Sequence, residues 1–249
     1  MLRTPDHQPG AQAEAQPGTS AAGGPPAERR PPVRAVLFDV DGTLVDTSYL
    51  HAVTWWEAFR QQGHRVPMAA VHRAVGMGSD QLLDHLLPED RDRDADEAMS
   101  AAHGALYAEY WPRLAPLNGA ADLLRACADR GLKVVLASSA KGPELAAMRA
   151  ALDADDAVDD ATASDDVESS KPAPDLVQQA LERAGTEPEE SVFVGDTAWD
   201  VRAAGRAGVR CLAVLTGGWS RAELAEAGAA AVYDDPADLL RHLDSALAR

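Results

Sequence analysis

Short apolar runs separated by longer amphipathic stretches recur along the chain after residue 32. Five of these runs have the length and composition of buried strands, at 33–39, 132–137, 191–194, 209–215 and 230–233. The stretch 174–184 shows the helical pattern that separates them, with apolar residues on one face and a glycine just past its end. Strands that alternate with helices are typical of a parallel sheet covered on both faces. The sequence therefore predicts an α/β fold with a doubly wound parallel sheet.

A helical segment without strand patterns interrupts this alternation between about residues 48 and 115. It contains four predicted helices, at 49–62, 67–75, 79–87 and roughly 91–110. Ligands of open parallel sheets bind beyond the carboxyl ends of the strands, and the segment begins directly after the first of those ends. We therefore expect a helical cap domain at 48–115 over the site, inserted into a core made of 33–47 and 116–249.

The first 32 residues have the composition of a disordered tail. They hold seven of the sixteen prolines, several glycines and almost no large apolar side chains. Such a composition buries too little apolar surface to offset the entropy of ordering the chain. We therefore expect residues 1–32 to lie outside the folded domains.

The net charge of −17 argues against general binding of nucleic acid or of anionic membranes, because the overall field repels phosphate backbones. No apolar run approaches the length of a membrane span, and the N-terminus lacks a signal-peptide core. Cys127 and Cys211 fall in a predicted helix and a predicted strand, as small buried apolar residues that need no disulfide. We expect a cytoplasmic protein, either a monomer or a homodimer.

Two carboxylates two positions apart follow directly on the first predicted strand. Because side chains repeat with period two along a strand, Asp39 and Asp41 can leave its end on the same side. One carboxylate can then act as a nucleophile while the other donates or accepts a proton. Asp-Gly is also an ordinary turn signal, so the pair alone indicates only a turn. Further candidates, each near the end of an apolar run, add weight to the chemical reading: Ser138, Lys171, Asp196 and Asp200.

Four segments in a fixed order carry a resemblance to a known family: DVDGTLVDT at 39–47, LASSA at 136–140, SKPAPD at 170–175 and GDTAWD at 195–200. In this order and context the chain resembles the haloacid dehalogenase superfamily, in the branch with a helical cap. That branch includes phosphoglycolate phosphatases and phosphatases similar to β-phosphoglucomutase. The resemblance implies a Rossmann-like core, Mg²⁺ as cofactor and a small phosphorylated metabolite as partner.

Phosphoryl transfer needs an in-line nucleophile, neutralisation of the equatorial oxygens and a metal that organises the group. We assign Asp39 as the nucleophile that forms an aspartyl phosphate, and Asp41 as the general acid and base. Lys171 would neutralise charge on Asp39 and on the phosphoryl group, or else be a solvated loop lysine. Ser138 would donate a hydrogen bond to a phosphoryl oxygen, or else be an ordinary serine at a strand end.

Carboxylates near the predicted strand ends also supply the oxygen ligands that suit Mg²⁺. We expect Asp39 and Asp196 to hold the ion together with water. The family resemblance implies that Asp41 adds its backbone carbonyl. Asp200 follows Asp196 by one helical turn and faces the same way, so it is either a direct ligand or a support for one.

Candidates for substrate binding come from the loops after the first two predicted strands. Gly42 and Thr43 would shape an anion-binding turn through their backbone amides, because glycine tolerates the backbone conformations that such a turn needs. Ser139, next to Ser138, is a further candidate in the second loop.

Three further candidates lie in the predicted cap. His51 follows Asp41 by ten positions, as a histidine does in mutase-like members of the resembled family; otherwise it is structural. Gly78 and Ser79 lie in a loop between two cap helices that corresponds to the substrate-selecting loop of the family, or else forms a plain helix–helix turn.

The main functional prediction is a Mg²⁺-dependent phosphatase. A sugar-phosphate mutase is the alternative enzyme, and it would need a cation under the cap for a second phosphate. Asp80 follows the cap loop where a cation would help, and the nearest cations in sequence are His72 and Arg73. The alternative from another class is a receiver-like signalling domain that accepts a phosphoryl group, although the helical insertion and the second carboxylate argue against it.

Overall fold

A computed structural model describes residues 31–163 and 169–248. Nearly all of the tail predicted at 1–32 lies outside the described residues, so that prediction stays untested. The four segments that resemble the haloacid dehalogenase superfamily lie wholly within them.

Six parallel strands form one sheet within the described residues, in the order β3-β2-β1-β4-β5-β6. The strands are β1 (Ala35–Phe38), β2 (Lys133–Ala137), β3 (Asp160–Thr162), β4 (Ser191–Gly195), β5 (Arg210–Val214) and β6 (Ala231–Tyr233). Phe38 at the end of β1 lies opposite Leu136 of β2 and Val194 of β4. The strand order reverses at β1, so the loops after β1 and β4 meet at the topological switch point where α/β sheets bind ligands.

Helices cover both faces of this sheet. The described helices are α1 (Ser48–Gln61), α2 (Met68–Ala74), α3 (Ser79–Leu86), α4 (Asp96–Ala108), α5 (Ala120–Ala128), α6 (Gly142–Leu152), α7 (Asp175–Ala184), α8 (Ala198–Arg206), α9 (Arg221–Ala227), α10 (Pro236–Arg241) and α11 (Leu243–Ala248). Of these, α5 to α11 pack on the sheet. Val36 and Phe38 pack with α5, α6, α10 and α11, whereas Ala35 and Leu37 pack with α7, α8 and α9. Successive residues of β1 thus face two helical layers on opposite sides of the sheet. This arrangement confirms the predicted α/β fold.

The helical segment between β1 and α5 contains helices α1 to α4, close to the four helices predicted from the sequence. These helices enclose an apolar cluster of their own, which includes Trp55, Phe59, Leu82 and Met99. Trp55 and Phe59 are therefore core residues, as their helical spacing indicates. The division of the chain into a core and a cap domain at 48–115 stays a prediction, although a separate apolar cluster agrees with it.

The sequence prediction missed the short edge strand β3. Its three residues pair with the end of β2, from Val135 to Ala137. Asp160 begins the strand, and a run of acidic residues and alanine precedes it, so no apolar pattern marks the element. Edge strands pair on one side only and can stay short and polar.

Cys127 in α5 and Cys211 in β5 are both buried and free. Burial raises the pKa of the Cys127 thiol to about 12, so it stays protonated at neutral pH. This agrees with the prediction that they act as small apolar residues. Among the described helices, none combines the length and the apolarity that a membrane crossing requires.

Candidate active site

The loops after β1 and β4 bring two buried carboxylates together. Asp39 follows β1 directly and Asp196 follows β4, and their exposed fractions are 5% and 1%. The Thr43 hydroxyl lies between them, with Oγ1 3.0 Å from Asp39 Oδ2 and 2.8 Å from Asp196 Oδ1. The sequence predicted that Asp39 and Asp196 lie close together, because the carboxyl ends of parallel strands lie at the same edge of the sheet.

Lys171 places a buried cation between two carboxylates. Its ammonium contacts Asp39 Oδ1 and lies 2.8 Å from Asp200 Oδ1. Burial alone would lower the pKa of Lys171, but Asp200 and Asp39 together raise it above its usual value. The ammonium therefore stays charged, and the solvated-loop alternative does not apply, because Lys171 is 1% exposed.

Asp200 also shapes the turn that presents Asp196. Its Oδ2 accepts hydrogen bonds from the backbone N–H of Thr197 at 3.0 Å and from the Thr197 hydroxyl at 2.6 Å. The Thr197 hydroxyl in turn accepts from the backbone N–H of Asp200 at 3.2 Å, which completes a capping box at the start of α8. Asp200 thus holds the turn through Oδ2 and pairs with the Lys171 ammonium through Oδ1.

The same group of residues fits a divalent cation. Carboxylate oxygens of Asp39, Asp196 and Asp200 lie within 4.8 Å of one another. Asp196 Oδ2 is buried and, within the described residues, has no hydrogen-bond donor. A β-carbon at Gly42 or Gly217 would overlap this oxygen, so two glycines keep the space around it open.

The charge balance agrees with this fit. Three carboxylates surround one lysine, so the group lacks positive charge. Burial and the neighbouring Asp200 and Asp41 raise the pKa of Asp39 to about 7 despite the opposing effect of Lys171. Burial, together with Asp200 and Asp39, likewise holds the pKa of Asp196 well above its usual range. Oxygen donors and excess negative charge are what Mg²⁺ sites provide.

Asp41 has a different environment from Asp39. Its Oδ1 accepts hydrogen bonds from the Thr47 hydroxyl at 2.8 Å and from His51 Nε2 at 2.9 Å. Its Oδ2 accepts the Ser138 hydroxyl at 3.5 Å, and the described residues offer it no second hydrogen bond. Burial alone would raise the pKa of Asp41, but His51, Thr47 and Lys171 together lower it. The pKa values of the two carboxylates of the first loop are therefore shifted in opposite directions, and Asp39 is the more easily protonated of the two.

The remaining candidates of the core lie around these carboxylates. Ser138 follows β2 and is fully buried, and its Oγ accepts the backbone N–H of Ala140 at 3.0 Å. Ser139 faces a cavity, and its hydroxyl has no partner within the described residues. Gly42 adopts a φ of 75°, a conformation that favours glycine, and its carbonyl accepts the Thr216 hydroxyl at 2.5 Å.

A cavity of about 460 Å³ lies between these loops and the helical segment. Asp39 and Asp41 line it from the core, and Gly78, Ser79 and His51 line it from the predicted cap. Its volume suits a small ligand. The cap loop therefore faces the site rather than forming a plain turn away from it.

The acidic and basic side chains near the cap loop differ in whether they line the cavity. Asp80 lines the cavity and accepts a hydrogen bond from the Ser170 hydroxyl, next to Lys171. Arg73 and His72 are not among the cavity-lining residues. Arg73 instead pairs with Glu223 at 2.5 Å and lies over the Trp219 ring at 4.4 Å.

Sequence reasoning missed three residues that surround Asp41 and His51. Thr47 ends the first family-like segment, so the motif itself contained the signal. His103 of α4 lies with Nε2 3.1 Å from His51 Nδ1, and Glu144 of α6 has Oε1 3.6 Å from His51 Nε2. No sequence pattern marks these two residues, because they belong to helices distant along the chain.

We predict that Gly217→Ala weakens cation binding, because the added methyl group would displace the Asp196 carboxylate. The apparent affinity for Mn²⁺, measured by electron paramagnetic resonance, should fall about tenfold or more. Gly205→Ala in α8 is the matched control, since nothing lies within 4 Å of its added methyl group. Equal affinity in both variants would contradict the assignment of Asp196 as a ligand.

Known proteins match most of the chain. The family model of haloacid dehalogenase-like hydrolases matches residues 33–208. A phosphoglycolate phosphatase from Rhodospirillum rubrum is 33% identical over 220 residues, which cover 83% of this chain and 89% of the relative. The structure of a hydrolase from Pseudomonas syringae superposes with a TM-score of 0.81 at 33% identity, covering 85% of this chain and 98% of that one.

The structure of CbbY from Rhodobacter sphaeroides in complex with phosphate is a further match. It has a TM-score of 0.68 at 26% identity and covers 85% of this chain and 99% of that chain. The family match sets aside the receiver-like alternative, because it identifies a hydrolase. With its sheet, its strand-end carboxylates and these matches, the chain belongs to the haloacid dehalogenase-like hydrolase family.

Proposed function

We propose that this hydrolase is a phosphatase that cleaves a small phosphorylated metabolite through a phosphoryl group carried on Asp39, with Mg²⁺ as its cofactor. The observation that carries the proposal is the pairing of Asp39 with the buried ammonium of Lys171 beside a second carboxylate, Asp41, at one wall of the cavity. Support comes from the R. rubrum relative, named a phosphoglycolate phosphatase, and from the phosphate complex of CbbY.

Asp39 is the nucleophile in this proposal. Lys171 holds its Oδ1 and Thr43 bonds its Oδ2, so the carboxylate has a fixed orientation. As an Asp39 oxygen bonds to phosphorus, the bond from phosphorus to the ester oxygen breaks and the alcohol leaves. Lys171 is placed to balance the negative charge that collects on Asp39 and on the phosphoryl oxygens.

Asp41 moves the protons of both steps. It gives a proton to the departing ester oxygen and then takes one from the water that attacks the phosphorus and frees Asp39. Its Oδ2 is suited to this work, because Thr47 and His51 both bind the other oxygen. A phosphate group beside Asp41 would raise its pKa and so favour the protonated form that the first step needs.

Asp39 and Asp196 would hold the Mg²⁺ ion, with the backbone carbonyl of Asp41 as the family resemblance implies. Once bound, the ion would supply positive charge that organises the phosphoryl oxygens. Asp200 would act indirectly, because it binds Lys171 and the turn at Thr197.

The mutase alternative has one observation in its favour, which is that Lys141 lines the cavity. A second phosphate under the cap would still meet the carboxylate of Asp80. The cations nearest to the loop in sequence, His72 and Arg73, do not line the cavity. These charges favour hydrolysis over isomerisation.

We predict that Asp39→Asn abolishes hydrolysis, because an amide is a poor nucleophile. A screen of phosphorylated metabolites that includes phosphoglycolate should show turnover reduced by roughly three orders of magnitude or more. Asp46→Asn, which changes an exposed carboxylate of the same loop, is the matched control and should keep normal turnover. Activity of Asp39→Asn close to that of the unaltered enzyme would exclude Asp39 as the nucleophile.

We predict that chelation abolishes hydrolysis and that Mg²⁺ restores it better than Ca²⁺, whose larger and looser coordination spoils in-line geometry. Asp196→Asn should raise the Mg²⁺ concentration that gives half-maximal phosphate release. Undiminished activity in excess chelator would refute the metal assignment.

We predict that the enzyme releases inorganic phosphate from β-glucose 1-phosphate faster than it isomerises this sugar, even when a bisphosphate primer is present. The reason is the acidic group that Asp80 places in the cavity. Both products are measured in the same reaction. Faster accumulation of glucose 6-phosphate than of inorganic phosphate would favour the mutase.

A further inference from the structure

His51 lies between Asp41 and a second histidine. Its Nε2 is 2.9 Å from Asp41 Oδ1, and its Nδ1 is 3.1 Å from Nε2 of His103. Both residues are buried, with at most 9% of their surface exposed. The three side chains form a linear series of hydrogen bonds that leads from α4 to the proposed acid–base group.

The donors and acceptors of this series are determined by Asp41. An ionised carboxylate only accepts hydrogen bonds, so Nε2 of His51 carries a hydrogen. In a neutral His51 ring, Nδ1 then carries no hydrogen and accepts a hydrogen bond from the N–H at His103 Nε2. In a charged His51 ring, Nδ1 carries a hydrogen and donates it to an unprotonated Nε2 of His103. His103 can serve both states because imidazole nitrogen can donate or accept.

Aromatic stacking fixes the two rings as a unit. The His103 ring stacks on Trp55 with centroids 4.2 Å apart and an interplanar angle of 11°. The Tyr107 ring lies over His51 at 4.1 Å. His103 and Tyr107 are one turn apart on α4, so a single helix supplies both the stacking partner and the hydrogen-bond partner of His51.

Two other orientations compete with the observed one. A half-turn of the His51 ring about its Cβ–Cγ bond would exchange each nitrogen for a carbon and would remove both hydrogen bonds. A smaller movement would turn Nε2 toward Glu144, whose Oε1 is already 3.6 Å away. The bond to His103 opposes both, because only the observed orientation keeps Nδ1 on His103.

We propose that His103 is a positioning residue that holds His51 with Nε2–H on Asp41 Oδ1 and thereby keeps Asp41 Oδ2 available to the cavity. The inference deepens the proposed function, because it rests on Asp41 as the acid–base group. His103 itself does not touch the reacting atoms in this scheme. It acts through His51, in the way that supporting hydrogen bonds orient groups in other active sites.

The experiment compares His103→Phe with His103→Gln. Phenylalanine keeps an aromatic ring against Trp55 but has no nitrogen, whereas the glutamine amide can reach the place of Nε2. We expect His103→Phe to lower kcat about tenfold to hundredfold with KM changed less than about twofold, and His103→Gln to keep most of the activity. If His103→Phe fails to fold, His103→Met removes the same nitrogen with another apolar side chain.

A double-mutant cycle tests whether His103 acts through His51. In a His51→Ala background, His103→Phe should cause no further loss of kcat, because the group that it positions is gone. Equal kcat in His103→Phe and the unaltered enzyme would overturn the proposal. So would an undiminished effect in the His51→Ala background, or a loss that falls mainly on KM.

Nuclear magnetic resonance separates this proposal from the proposed function. Imidazole ¹⁵N shifts of His51 in metal-free protein should show hydrogen on Nε2 in the unaltered chain and in His103→Gln, but mixed forms in His103→Phe. This readout needs no catalysis, so it remains decisive if no phosphatase activity is found. Unchanged His51 shifts in His103→Phe would refute the positioning role.

Discussion

The contact of Lys171 with Asp39 and Asp200 is the interaction on which the rest of the site depends. Taking several charges out of water costs several kcal/mol for each ion, and only close pairing offsets that cost. One lysine cannot balance three ionised carboxylates, so burial and mutual repulsion raise the pKa values of Asp39 and Asp196. The site therefore fits a cation, and we propose that a bound cation would offset the remaining electrostatic cost.

The topology of the sheet makes this arrangement possible with few residues. β1 and β4 are neighbours although more than 150 residues separate them, so the loops after them converge without any long excursion. The capping box of Thr197 and Asp200 then combines two tasks in one side chain. It satisfies the orphan N–H groups at the start of α8 and directs a carboxylate toward Lys171. The residue that caps α8 therefore also holds the Lys171 ammonium in the site.

Strand periodicity explains why the fold and the centre of the site could be predicted. Asp39 and Asp196 stand at the ends of apolar runs, and parallel strands bring such ends together. The residues that surround these two carboxylates could not be predicted in this way. His103 and Glu144 reach His51 from other helices, so their roles depend on packing angles that no local pattern encodes. Gly217 contributes empty space beside Asp196 rather than a functional group, and a sequence pattern does not mark a missing side chain.

The contact of Arg73 with Glu223 and Trp219 links the helical segment to the core at the protein surface. It joins the end of α2 to α9, while Asp80 joins the cap loop to Ser170 next to Lys171. The Arg73 and Glu223 side chains are 40% and 37% exposed, so dissolved salt screens their attraction. The attraction that links α2 to α9 through Arg73 and Glu223 should therefore weaken as ionic strength rises, whereas the stacking of Arg73 on the Trp219 ring depends less on salt.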